Sequence, residues 1–159
     1  MEMISVSTAM SLTGWSESTF RRRISGGSLS CIREAEGNGR SMVAFEAIKP
    51  HIFISLQEDD DDLIRHADKG SPEAQTDLAL LFLSEKKFKN AIYWLRLSEK
   101  QDYASAMYYL GRCYLEGSGV PQDRNLSLMW FAKAAAYGHV IAQGRINAMH
   151  SLAVPVQTN

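Results

Sequence analysis

The side chains able to do chemistry are scattered along this chain of 159 residues. His51, His66, His139 and His150 stand far apart, without the short intervals that let two ligands share a metal. Cys31 and Cys113 fall in different segments and form no CxxC pair. No serine sits in a GxSxG turn, and no P-loop or dinucleotide-binding glycine fingerprint occurs. Neither catalysis nor a cofactor nor a bound metal is expected. The acidic run Glu58-Asp59-Asp60-Asp61-Asp62 lacks the central glycine and closing glutamate of a calcium loop. It reads as a solvated linker, residues 54–62, feeding a helix N-terminus where carboxylates suit the macrodipole.

Two groups of side chains could instead make contacts. Arg21, Arg22 and Arg23 fall in the C-terminal half of a short helix, so one could reach a base edge while another holds phosphate. They cannot all face one groove. Ser16, Ser18 and Thr19 open that helix, where hydroxyls and free amides suit a phosphate oxygen as well as ordinary capping. Against this, residues 1–50 carry six basic and five acidic side chains, with Glu17, Glu34 and Glu36 close to the expected contact surface. The second group is Tyr109 and Arg112, an aromatic and an arginine on one helix, a pairing enriched in protein-binding hot spots.

The elements that must position these residues follow from a repeat. Ala74, Ala106 and Ala142 are separated by 32 and then 36 residues, and Leu78, Leu110 and Ile146 keep both offsets. So do Gly70, Asp102 and Gly138, while Trp94 and Trp130, like Ala91 and Ser127, stand 36 apart. A period of this size marks an array of helix pairs. The change in spacing sits in one loop, Gly117-Ser118-Gly119-Val120-Pro121 against the shorter Glu85-Lys86-Lys87-Phe88, so the helix faces stay in phase. Helices are expected near 72–84, 88–100, 104–116, 123–136 and 140–152, with Asp61–Lys69 as the last helix of a truncated leading repeat. Ala106, Leu110 and Tyr114 form one stripe, and Gly111 beside it allows a neighbouring backbone to come close.

Leu110, Gly111, Tyr114, Gly117, Gly119, Val120, Asp123, Trp130, Ala134, Ala135 and Gly138 together resemble the SEL-one-like repeat, a relative of the tetratricopeptide repeat. The earlier unit departs from that pattern, with Ala79 for the glycine, Phe82 for the tyrosine and no GxGV turn. The resemblance implies an α-solenoid that holds a protein partner on the surface lined by its first helices, where Tyr109 and Arg112 fall. Tyr108 fits the pattern as a structural residue.

Residues 3–53 do not fit the repeat. Ser5 can cap a helix that Gly14 breaks, and Ser16 a second helix that Gly26-Gly27 stops, with Val6, Ala9, Met10, Trp15, Phe20 and Ile24 as shared core. Gly37-Asn38-Gly39 signals a hairpin, and Glu46–His51 a short closing helix. Helix, turn, helix, hairpin, helix is the order of a winged helix-turn-helix. LTGWSESTFRRRISGG resembles the DNA-binding domain of the MerR and excisionase families. The resemblance implies duplex DNA as a ligand and places Asn38 and Arg40 in a wing that touches backbone or minor groove.

The expected architecture is mainly α. A small α+β winged helix-turn-helix over residues 1–53 is followed by the linker, an α-α solenoid of about two repeats plus capping helices over 63–153, and a disordered tail over 154–159. The leading functional expectation is a bacterial cytoplasmic regulator that binds DNA and docks a protein. The alternative is an adaptor or anti-regulator whose winged domain does not bind DNA. A homodimer would have to form through repeats or wings, since no heptad run follows the first domain. No membrane contact is expected: the longest apolar run, Leu78–Leu83, is too short to span a bilayer, and the first basic cluster follows the apolar start instead of preceding it.

Overall fold

The computed structural model describes residues 2–34, 39–57 and 59–153. The hairpin residues Gly37 and Asn38, the acids Glu36 and Glu58, and the tail 154–159 lie outside them. The chain divides into two compact units between Lys69 and Gly70.

The first unit is a small three-stranded sheet with helices. Strand β1 (Met3–Ser5) and strand β2 (Cys31–Arg33) both pair antiparallel with β3 (Ser41–Ala44), giving the order β1-β3-β2. Helix α1 (Val6–Thr13) opens on Ser5, whose hydroxyl accepts the Thr8 N–H, and closes on Gly14 at φ 67°. Helix α2 (Glu17–Ser25) opens on Ser16 and ends at Gly26, as expected. The short α3 (Phe45–Ile48) runs into a 3₁₀ turn, Lys49–His51. Ile4, Ala9, Leu12, Phe20, Val43, Phe45 and Ile48 form the buried core. Of the expected core, Val6, Met10, Trp15 and Ile24 are only half-buried. Strand β1 was not expected, and Ile4 on it is fully buried.

Helix α4 (Asp60–Asp68) covers most of the stretch expected as the last helix of a truncated leading repeat. It belongs to the first unit, with Ile64 and Ala67 buried. Its last residue, Asp68, accepts the Ser5 N–H at 3.2 Å, the Ser5 hydroxyl at 2.5 Å and the Thr8 hydroxyl at 2.6 Å. One carboxylate thus satisfies donors at the β1 to α1 junction and ties this helix into the first unit. The second compact unit begins at Gly70. Asp60, Asp61 and Asp62 do occupy the first turn of α4, as the macrodipole argument requires.

The second unit is a stack of helix pairs: α5 (Pro72–Ser84), α6 (Phe88–Glu99), α7 (Ala104–Glu116), α8 (Arg124–Ala136) and α9 (Val140–Ala153). The main contacts join α5 to α6, α7 to α8, α8 to α9 and α6 to α7. Leu78 and Leu110 are fully buried, and Ala74, Ala106 and Ala142 nearly so. Ile146, the third member of the leucine series, is half-buried. Gly70, Asp102 and Gly138 share a left-handed backbone, with φ of 99°, 59° and 89°. This one repeat position turns the chain from each hairpin into the next, and aspartate is among the few side chains that tolerate it. Among the described residues no helix is long and apolar enough to cross a membrane.

Two glycines set the packing distances. A Cβ on Gly111 would lie 2.8 Å from the Phe131 ring and 3.2 Å from the Ser127 carbonyl, so α7 and α8 meet at van der Waals contact. A Cβ on Gly119 would lie 2.8 Å from the Phe88 carbonyl oxygen. The long loop of the second repeat therefore rests directly on the start of α6.

Gly119→Ala meets both a backbone clash and a φ of 77°, and is expected to lower the unfolding free energy by about 2 kcal/mol or more. Gly138→Ala, at φ 89° with nothing near its Cβ, carries the conformational part alone, about 1 kcal/mol. Urea unfolding of the two variants checks the order; equal losses would refute the close approach.

Candidate functional site

The N-terminal candidates are mostly engaged locally. Ser16 accepts the Thr19 N–H, and the Ser18 and Thr19 hydroxyls both lie within hydrogen-bond distance of the Ser16 hydroxyl. Arg21 is paired with Glu17 at 2.5 Å one turn earlier. The Arg23 guanidinium lies 3.9 Å from the centre of the Trp15 ring, which also packs on Phe20 and His51. Arg40 bonds Glu34 and donates to the Asp68 carbonyl. Arg22 is exposed, and Asn38 lies outside the described residues. These contacts do not bring the arginines to one surface.

The repeat candidates do come together. Tyr109 and Arg112 of α7 line a groove with Cys113 and Glu116 of the same helix, Leu80, Leu83 and Ser84 of α5, and Phe88 at the start of α6. The groove encloses about 390 Å³. Arg112 donates to Glu116 at 3.2 Å, and its guanidinium lies 6.0 Å from the Tyr109 ring. Cys113, in the wall of this groove, is only 2% exposed. Burial, with the nearby Glu116, pushes its thiol up to about 11, so it is neutral and a poor nucleophile at neutral pH.

Aromatic stacking holds the helix that carries Tyr109. Tyr108, buried as the repeat pattern implied, packs edge-on to Tyr109 and lies flat on His139, with ring centres 4.4 Å apart. His139 accepts the Ala142 N–H through Nδ1 and so caps α9 with its ring. On the neighbouring pair, Trp130 lies between Arg96 and Lys133, each cation 5.1 Å from its ring centre. Arg96 also donates to the Tyr114 hydroxyl at 2.8 Å, and Lys133 to Glu99 at 2.7 Å, which ties α6 to both α7 and α8.

A second groove was missed from the sequence. Leu115, Arg124, Ser127, Leu128, Phe131, Arg145 and Met149 line a space of about 460 Å³ between α8 and α9. The repeat offsets carried the signal. Leu83 maps to Leu115 at 32 residues, and Phe88, Tyr109 and Cys113 map to Arg124, Arg145 and Met149 at 36. Ser127 in its wall has a buried hydroxyl with no hydrogen-bond partner among the described residues.

Comparison with known proteins agrees on the second unit. Residues 72–103 and 104–139 each match the model of the Sel1 repeat. Over 88 residues the chain is 30% identical to DAP3-binding cell death enhancer 1 of Rattus norvegicus, covering 54% of this chain and 17% of that protein. A protective antigen present in uropathogenic Escherichia coli strains, displaying an SLR fold, is 28% identical over 58% of this chain and 21% of its own, with a TM-score of 0.51. A Sel1 repeat protein from Oxalobacter formigenes is 34% identical over 51% of this chain and 25% of its own, with a TM-score of 0.49. The chain thus spans only about a fifth of the length of these relatives.

Ser127→Ala removes a buried hydroxyl that has no partner, and Ala91 already fills the matching place one repeat earlier. It is expected to raise stability by about 1 kcal/mol in denaturant unfolding, and a loss would show that the hydroxyl is satisfied. Burial holds His139 below its ordinary 6.5, so the unfolded chain binds the proton first. The stability its neutral ring confers is present above 6.5 and is lost as pH falls through the lower folded value. The loss is limited to the worth of one cap, about 1 kcal/mol. Thermal unfolding between pH 7.5 and 5 should show a smaller drop in His139→Asn, which caps without titrating; an unchanged drop would refute the role.

Proposed function

With residues 72–139 forming two Sel1 repeats, we propose that this protein is a non-enzymatic docking module that holds a protein partner on its helical array. The observation behind this is the α5–α7 groove. Its lining brings together an aromatic ring, a guanidinium and apolar side chains. Tyr109 and Arg112 are the partner-binding residues, and Cys113 is part of the wall and not a reactive thiol. The name of the rat relative makes that protein a binder of another protein, which supports a docking role for the repeats that the two share. The first unit acts in this reading as part of an adaptor.

Duplex DNA binding through α2 has less behind it. Arg21 and Arg23 are spent on Glu17 and Trp15, the Ser16 hydroxyl caps the helix, and the Ser18 and Thr19 hydroxyls bond to it. What favours it is the exposed Arg22 on a helix that follows another after a three-residue turn, Gly14-Trp15-Ser16.

Affinity capture from the native host, compared between wild type and Tyr109→Ala/Arg112→Ala, tests the docking reading. The expected result is a partner enriched by wild type and lost by the variant, while both unfold at similar denaturant concentrations. Equal recovery would overturn the assignment of this groove. In parallel, titration with mixed duplex DNA across a salt series should give no steep salt dependence that Arg21→Ala/Arg22→Ala/Arg23→Ala abolishes; such a dependence would restore the DNA reading.

A further inference from the structure

The α8–α9 groove differs in chemistry from its counterpart one repeat earlier. In the first groove Arg112 faces Glu116, so its charge is compensated within the wall. In the second, the charged side chains among the lining residues are Arg124 and Arg145, both positive and both exposed. The Arg145 guanidinium rests on Phe131, 4.9 Å from its ring centre, and makes no ion pair among the described residues. Arg124 stands at the first position of α8, next to Asp123, whose Oδ1 accepts the Asn125 and Leu126 N–H groups. Beside the arginines the wall is mostly apolar, with Asn125 and Ser127 as its uncharged polar residues and with Leu128 and Met149 38% and 49% exposed. Ile141 of α9 is exposed as well.

From this we propose that the α8–α9 groove is a second subsite for the docked partner, and that it takes an acidic amphipathic segment of that protein. An apolar side chain of the segment enters between Leu128 and Met149, and flanking carboxylates meet Arg124 and Arg145. The inference rests on the docking reading and specifies the partner's chemistry. The repeat offsets place this subsite one repeat along from Tyr109 and Arg112. A single segment could therefore be read by both grooves, the first selecting shape and the second selecting charge.

The test uses the full chain with methyl-labelled methionine and three synthetic peptides of equal length. One is built of Leu-Glu-Glu-Leu repeats, one of Leu-Lys-Lys-Leu repeats, and one carries the same glutamates with serine for leucine. The expected result is a saturable shift of the Met149 methyl by the first peptide alone, with Met129, which does not line the groove, unmoved. Arg124→Glu/Arg145→Glu should reverse the preference toward the lysine peptide. Arg124→Glu alone, at an exposed site, should weaken the acidic peptide several-fold without touching the Phe131 contact. No Met149 shift, or equal shifts from peptides of either charge, overturns the inference. Binding that survives charge reversal but is lost in Tyr109→Ala/Arg112→Ala also overturns it, and leaves the docking reading standing. A failure of the docking reading itself shows separately, as equal partner capture by wild type and the Tyr109/Arg112 variant.

Discussion

The helical array depends on one close approach, the seat of Gly119 against the backbone of Phe88. That contact brings the loop after α7 down on the start of α6, so main chain as well as side chains registers the second hairpin on the first. Gly111 does the same within a hairpin, letting Phe131 lie against the α7 backbone. Side chains can re-pack around small changes, but main chain against main chain gives almost no freedom. Phe88 and Ser118, at either side of the Gly119 contact, both line the groove between α5 and α7.

Burial then supplies the energy that the geometry directs. Leu78, Trp94, Leu95, Met107 and Leu110 are fully buried or nearly so, each worth about 1.5–3 kcal/mol. No single pair encloses them, so neighbours must stack. Trp130 shows how the stack is locked laterally: its ring lies between Arg96 and Lys133, which reach Tyr114 and Glu99 on other helices. A groove built on such a frame is formed before any ligand arrives, which lowers the ordering cost of binding.

The array was legible because its information is repeated. The offsets of 32 and 36 place each helix to within about two residues, and Gly111 announced the close packing it makes. Tyr109 and Arg112 could be placed on one helix surface from phase, and both line the first groove. The second groove was overlooked because its residues differ in kind from their counterparts, arginine for tyrosine and methionine for cysteine, although the same offset points to them. In the first unit the helices and their serine caps were legible from local signals. Strand β1 was not, since three residues carry almost no period. The destination of α4 was set by Asp68 reaching Ser5 and Thr8 across 63 and 60 positions, a contact no local pattern encodes.

The arginines of α2 show why a motif's residues must be followed to their partners. In sequence, Arg21, Arg22 and Arg23 form the most basic point of the chain. In space, Arg21 is neutralised by Glu17, and Arg23 spends its planar face on Trp15. A surface ion pair of this sort adds little stability, so Arg21 could be drawn away at small cost, but Arg23 could leave only by uncovering a half-buried indole. The charge left for an external anion is thus smaller than the run suggests. On the repeats the reverse holds. Arg145 rests on Phe131 while its charge stays unpaired among the described residues, so an aromatic floor holds a cation ready for a carboxylate. The isolated arginines of α8 and α9 are therefore better placed to select a partner than the consecutive ones of α2.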